Sequence, residues 1–423
     1  MRVSTSVSLR ALVLVVAAAA VTATAAPVAA APAPVVAEQQ PITIGLLIPT
    51  SGNFAAPGQY MKEGFELYLK QHDDTLGGRK VVVIQADSGG NPATGLTQAR
   101  RLVEQDHVNI IVGPLSTAVD QAIIPYITSH KVPAIFPVLS PDDITQRMPA
   151  AYVVRTSPAS SQTTQPLGDY AYKTLKYRKV ATIAYDFSFG WESIGGFVQT
   201  FQSDGGKVLK QLWTPVATSD YGPYLSELPR NVDAIMCSFS GAAAVNFIKQ
   251  YKAFGLKTPL ICQGNTTDES TLPATGPAAL GILTALHYST ALDRPQNKQF
   301  VAAYTKAYGH QPSYYGEGTY DAALVLAGAV GKLHGNIADT QKFIAAMRSL
   351  HVTEAPRGPL VFDRYGNPDQ NVYIRKVEMI GGKLENVVTE TMPNVSQFWT
   401  YDPVATLQHP VYSRDYPVCN ACK

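Results

Sequence analysis

The chain has 423 residues, 46% hydrophobic and 16% charged, which is enough apolar material for a large core and two domains and excludes a disordered chain. Its 34 basic and 32 acidic residues give a formal net charge of +2 at pH 7. That balance offers no basic face for nucleic acid and no polybasic membrane anchor.

At the N-terminus, Arg2 and Arg10 precede an apolar run, Ala11 to Val21, followed by Ala23-Thr24-Ala25 and Ala29-Ala30-Ala31, either of which fits a small-residue cleavage pattern. Residues 1–31 therefore read as a secretory signal, cleaved within residues 25–31. The run is shorter than the roughly 20 apolar residues that a spanning helix needs. The mature protein is expected to be exported and soluble, and with no Cys in this region a lipid has no acceptor there.

From Ile42 onward, short β-branched runs alternate with longer amphipathic ones. Ile42 to Pro49, Lys80 to Asp87, Asn109 to Val112 and Pro133 to Pro137 read as strands, with helices over Pro57 to Asp73 and Pro92 to Asp106. Such alternation implies a parallel, helix-flanked sheet. The pattern pauses at Tyr152 to Pro158 and restarts with a helix from Ser160, then strands at Lys179 to Tyr185, Lys207 to Trp213, Val232 to Cys237 and Pro259 to Gln263. This second series predicts a second sheet. After His287 come helical segments at Gln296 to Tyr308, Tyr314 to Lys332 and Asp339 to Leu350, returning to cover the first lobe. Leu360 to Phe362, Val372 to Met379 and Leu384 to Thr391 then read as strands, with Gly381-Gly382 as a hairpin turn.

The most informative stretch is Ile110 to Ser140. An apolar strand runs into Gly113-Pro114-Leu115-Ser116-Thr117, a helix follows, and the next strand ends in Pro137-Val138-Leu139-Ser140. Two hydroxyl-bearing turns thus stand at the strand ends of an α/β sheet, where ligands bind, and a helix beginning near Ser116 points its free N–H groups at any anion there. Together with Thr50-Ser51-Gly52 after the first strand and Asp87 closing the second, these residues resemble the type I periplasmic solute-binding proteins of ABC transporters, with the branched-chain amino acid binding branch nearest. The resemblance spans residues 41–391. It implies an α/β fold of two Rossmann-like lobes with parallel sheets flanked by helices, joined by a three-crossover hinge. The N-terminal lobe would comprise 41–158 plus 287–357, the C-terminal lobe 159–286 plus 358–391, and the tail 392–423.

In that family, hydroxyls after the Gly-Pro turn and after the next strand hold the ligand carboxylate. Ser116 and Ser140 occupy the matching positions, with Thr117 and Val138 beside them, and short hydroxyls at a helix N-terminus suit a carboxylate. Ser116 can equally serve as a plain N-cap. Ser51 and Phe54 lie in the opening loop of the cleft, where Phe54 either stacks on a ligand or covers the loop. In the second lobe, Phe189 matches an aromatic wall position, Phe187 and Trp191 are either wall or core, and Phe239, Ser240 and Asn265 close two further strands. Amino acid binders commonly place an acid near Asn265 to pair with the ligand ammonium. Here the loop reads Gln263-Gly264-Asn265-Thr266-Thr267, with Asp268 and Glu269 beyond.

Four cysteines do not make a disulfide framework. Cys237 and Cys262 each end an apolar run and read as buried thiols, with a bridge between them as the alternative, whereas the C-x-x-C at Cys419 and Cys422 reads as a local disulfide closing the tail. The tail from Phe398 to Pro417 is similar to those of a subgroup that takes up aromatic acids, and reads as a belt over a lobe. The eight histidines show no ligand spacing, and phosphate-loop, dinucleotide, nucleophile-elbow and zinc-protease motifs are missing. The expectation is therefore a monomeric binding protein in the periplasm, with no enzyme activity, cofactor or metal. It would capture a small carboxylate, favoured as an aromatic acid of benzoate or phenylpropenoate type, for an inner-membrane ABC permease. A branched-chain or other amino acid binder, and a sensory protein serving a receptor, are the alternatives.

Overall fold

The computed structural model describes residues 40–422; the expected signal segment lies outside them. Among these residues the first sheet holds six strands: β1 (Ile42–Ile48), β2 (Thr75–Leu76), β3 (Arg79–Asp87), β4 (Ile110–Val112), β5 (Ala134–Phe136) and β6 (Val153–Arg155). Their order is β2-β3-β1-β4-β5-β6, and every pair is parallel except β2 with β3. Helices α1 (Ala55–Gln71), α2 (Pro92–Glu104) and α3 (Thr117–Ser129) supply crossovers. β4 and β5 are buried at every position, as strands covered on both faces must be. α2 starts cleanly because the Asn91 side chain accepts from the Ala93 and Thr94 N–H groups and Pro92 occupies the first turn.

The second lobe runs α4 (Gln165–Lys173), β7 (Lys179–Tyr185), α5 (Ser188–Ser203), β8 (Lys207–Thr214), α6 (Gly222–Glu227), β9 (Ala234–Ser238), α7 (Gly241–Ala253), β10 (Leu260–Gln263), α8 (Leu272–Thr275) and β11 (Leu283–Leu286). The chain then passes through α9 (Pro295–Tyr308), α10 (Tyr314–Lys332) and α11 (Thr340–Arg348). It returns as β12 (His351–Val352), β13 (Leu360–Phe362), β14 (Pro368–Ile380) and β15 (Lys383–Val395), before α12 (Pro403–Gln408) in the tail. The second sheet is ordered β12-β13-β14-β11-β10-β9-β7-β8, with β15 paired to β14. Gly381 and Gly382 both have positive φ and close the β14–β15 hairpin, as their sequence predicts.

α10 docks back on α1. A Cβ at Gly64 would collide with the Gly316 backbone, so only glycine permits this approach. Thr319 Oγ1 donates to the Met61 carbonyl (2.7 Å) across this seam, and Tyr308, at the end of α9, donates to the Glu63 carbonyl (2.9 Å).

Several expectations need correction. Tyr152 to Pro158 is no pause, since it contains β6; a three-residue Val-Val-Arg strand has too few positions to show a period. The helix expected from Ser160 starts at Gln165, and Leu283–Leu286 is a strand that the sequence reading left out. Cys237 and Cys262 are not free thiols: they are Cα partners on the adjacent strands β9 and β10 and form a disulfide. Cys419 and Cys422 are bonded to each other. The short β12, inside the segment expected to cover the first lobe, pairs with β13 at the edge of the second sheet.

The crossovers meet at a buried arginine. Arg357 Nε lies 2.5 Å from Glu317 Oε1 and 2.8 Å from Asp321 Oδ2, both on α10, while Nη1 donates to the Thr156 carbonyl beyond β6 and to Gln370 Oε1 on β14, each at 3.1 Å. All three charged side chains are sealed from water. Removing one partner of such a cluster leaves uncompensated buried charge. Arg357→Met is expected to destabilise the protein by about 3–5 kcal/mol in urea denaturation, and a loss below about 1 kcal/mol would contradict this role.

Candidate functional site

Ser116 stands at the N-cap position of α3 with extended backbone, but its side chain makes no capping bond. Its hydroxyl and the first N–H groups of α3 are thus left for a partner. Asp120 occupies that first turn. Its burial pushes its carboxyl well above the usual range, the nearby Arg155 opposing only in part.

The N-terminus of α5, on the second lobe, meets α3 directly. Thr117 Oγ1 lies 2.7 Å from Ser188 Oγ and accepts from the Phe189 N–H at 3.1 Å. A second bridge runs from the opening loop: Asn53 Oδ1 accepts from the Ala243 N–H at 2.8 Å, capping α7 from the opposite lobe, and Asn53 Nδ2 donates to the Tyr185 hydroxyl at 2.8 Å. Gly241 has φ of +61°, and a Cβ there would strike the Asn53 carbonyl. Lobe-to-lobe contact therefore requires glycine at this position.

Between these bridges lies a narrow cavity of about 10 Å³. Phe54, Leu115, Leu139, Phe187 and Phe189 form its apolar walls, and Ser116, Thr117, Ser240, Asn265 and Tyr314 bring polar groups to it. With the lobes in contact this leaves room for about one water, so a ligand can enter only as the two walls part. Phe187 and Phe189 have ring centroids 6.2 Å apart, and Phe187 lies 5.4 Å from Tyr185.

Of the residues expected from sequence, Ser116, Thr117, Phe54, Phe189, Ser240 and Asn265 come together here. Four are placed elsewhere. Ser51 is turned out to Asp87, donating to its Oδ2 at 2.7 Å. Phe239 faces the opposite way from Ser240 and packs on Tyr221 and Phe247. Val138 is buried off the cavity, and it is Leu139 that faces in. Ser140 is fully buried with its carbonyl held by the Ser160 N–H (3.2 Å) and hydroxyl (3.0 Å), and its own hydroxyl has no partner. Leu115 and Tyr314 were not anticipated; the first lay inside the quoted Gly-Pro turn, and the second is the first residue of a helix 200 positions away in sequence.

Asp268 and Glu269 do not line the cavity. Glu269 Oε1 accepts from Asn386 Nδ2 at 2.9 Å, and Asp268 Oδ1 from the Ser270 N–H at the same distance. Burial, reinforced by Glu269, pushes the Asp268 carboxyl up to about 7. No group of three or more His, Cys, Asp or Glu among the described residues is arranged to hold a metal ion.

Residues 41–383 match the family model for periplasmic binding proteins. The chain belongs to this family. A Leu/Ile/Val-binding protein homolog 6 from Brucella melitensis is 31% identical over 346 residues, covering 79% of this chain and 87% of the relative. A solute-binding protein of an ABC transporter from Rhodopseudomonas palustris BisB5, solved with 3,4-dihydroxybenzoic acid, is 34% identical with a TM-score of 0.79, covering 84% of this chain and 98% of that one. Another from R. palustris, solved with benzoate, is 31% identical with a TM-score of 0.78, covering 82% and 96%. The family is one of transport-associated solute binders, not an enzyme class.

Two outcomes follow from this geometry. Asn53→Ala removes the cap on α7 and the bond to Tyr185, so the free protein should open, read as a larger radius of gyration in small-angle scattering; an unchanged profile would count against the bridge. For Asp268, a carboxyl raised in the folded state contributes stability below the unfolded value of 3.8 and loses it as pH rises through about 7. Asp268→Asn should therefore match the wild type in urea at pH 4 and exceed it at pH 8.

Proposed function

We propose that this protein is the periplasmic solute-binding component of an ABC importer, that it takes an aromatic monocarboxylate between its lobes, and that it hands the closed complex to an inner-membrane permease. The observation that carries the reading is the pairing of an uncapped Ser116 at the N-terminus of α3 with walls of Phe54, Phe187 and Phe189 in one small cavity. The hydroxyl and helix end suit a carboxylate, and the Phe faces suit a flat ring. The lining side chains include no acid. A ligand ammonium there would be buried without a counter-charge, at a cost of several kcal/mol.

Binding works through closure. The Thr117–Ser188 and Asn53–Ala243 contacts exist only when the lobes meet, and a ligand touching both walls adds its own contacts to that state alone, shifting the hinge equilibrium. The Brucella relative's name favours a second reading, a branched-chain amino acid binder. Calorimetric titration separates the two: benzoate-type acids should bind and leucine should not, and the reverse would reject the aromatic assignment. Ser116→Ala should weaken benzoate binding by about 1.5–3 kcal/mol, the value of a hydrogen bond to a charged group.

A further inference from the structure

Asn265 carries an unanswered hydrogen-bonding group. Its Nδ2 donates to the Tyr314 hydroxyl at 2.7 Å and to the Tyr315 hydroxyl at 3.3 Å, and its backbone N–H donates to Gln263 Oε1 at 2.6 Å. Its Oδ1 is sealed from solvent and has no partner, although the residue lines the cavity. Buried carbonyl oxygens are rarely left so, and such a group in a binding site calls for a donor on the occupant.

The side chain is not free to turn away. Arg375 Nη2 holds the Gly264 carbonyl at 2.9 Å, immediately before Asn265, and its Nη1 holds the Tyr288 carbonyl at 2.9 Å. With the two tyrosine hydroxyls fixing Nδ2, the amide is oriented before any ligand arrives. Asn265 and Ser116 lie on different lobes, so a molecule whose carboxylate meets Ser116 presents another of its edges to Asn265.

We infer that Asn265 is a specificity-determining residue that selects a ring hydroxyl, so that the preferred ligand is a hydroxylated aromatic acid and not the bare one. This rests on the aromatic-acid reading of the same cavity. A phenolic O–H donates to Oδ1, and its oxygen accepts from hydroxyls such as those of Tyr314 and Ser240 on the same lining. An ammonium only donates, and finds a neutral amide where it needs a carboxylate. A site built to hydrogen-bond a hydroxyl discriminates against the analogue that lacks it, because its own buried group is then left unpaired.

The test is a calorimetric series with benzoate, 3-hydroxybenzoate, 4-hydroxybenzoate, 4-methoxybenzoate and leucine. At least one hydroxybenzoate should bind about tenfold or more tightly than benzoate, and the methoxy compound, which accepts but does not donate, should lose that advantage. Asn265→Leu should bring the ratio of hydroxybenzoate to benzoate affinity within about twofold. Equal binding of benzoate and both hydroxybenzoates by the wild type would overturn the inference while leaving the aromatic reading in place. Binding of leucine with no aromatic acid bound would overturn both. Should Asn265→Leu fail to fold, the wild-type series alone decides.

Discussion

The structure depends on three buried guanidinium groups placed where chain leaves a sheet. Crossing segments have no ladder to satisfy their carbonyls, and at the hinge they are covered on all sides. Arg357 joins Thr156, α10 and Gln370. Arg155 donates to the Pro141 carbonyl at 2.6 Å and to Thr145 and Asn367. Arg375 holds the carbonyls of Gly264 and Tyr288. Arginine suits this work because its planar fork stays charged when buried and reaches several acceptors at once. The same fixed frame sets the cavity walls: Arg155 anchors the turn after Leu139, and Arg375 anchors the turn that bears Asn265.

Around this frame, two of the contacts between the lobes come from short polar side chains that meet a helix N-terminus of the opposite lobe. Thr117 serves α5, and Asn53 serves α7. Closure thus replaces water at two exposed helix ends with groups of the opposite lobe, and a net gain of only about 0.5–1.5 kcal/mol per hydrogen bond keeps the exchange reversible. That balance suits a protein that must release what it captures.

Much of this was legible in the sequence. β1, β7 and α10 were readable because long apolar runs or strong helical patterns are bounded by turn residues, and the Gly113-Pro114 turn fixed attention on Ser116 and Thr117. What escaped was set by tertiary placement. Val138 and Ser140 flank the true cavity residue, Leu139, and an offset of one position reverses the face that a residue presents. The same alternation separates Phe239 from Ser240. Tyr314 reaches the cavity only because α10 is docked on α1 by Gly64 and Gly316, a contact between segments 252 positions apart. The Cys237–Cys262 bond likewise follows from strand register, which spacing alone does not give.

The tail ends on β8, the outermost strand of the second sheet. It crosses Arg147, whose guanidinium holds the carbonyls of Thr406 and His409, both at 2.9 Å, and its disulfide loop then lies along the strand. Asn420 Oδ1 accepts from the Val208 N–H at 3.1 Å, and its Nδ2 donates to the Gly206 carbonyl at 2.9 Å. A sheet margin with free amide and carbonyl groups is a template for another molecule's strand. The disulfide loop takes up backbone groups of that margin at Gly206 and Val208, so this stretch of β8 is no longer open to a further strand.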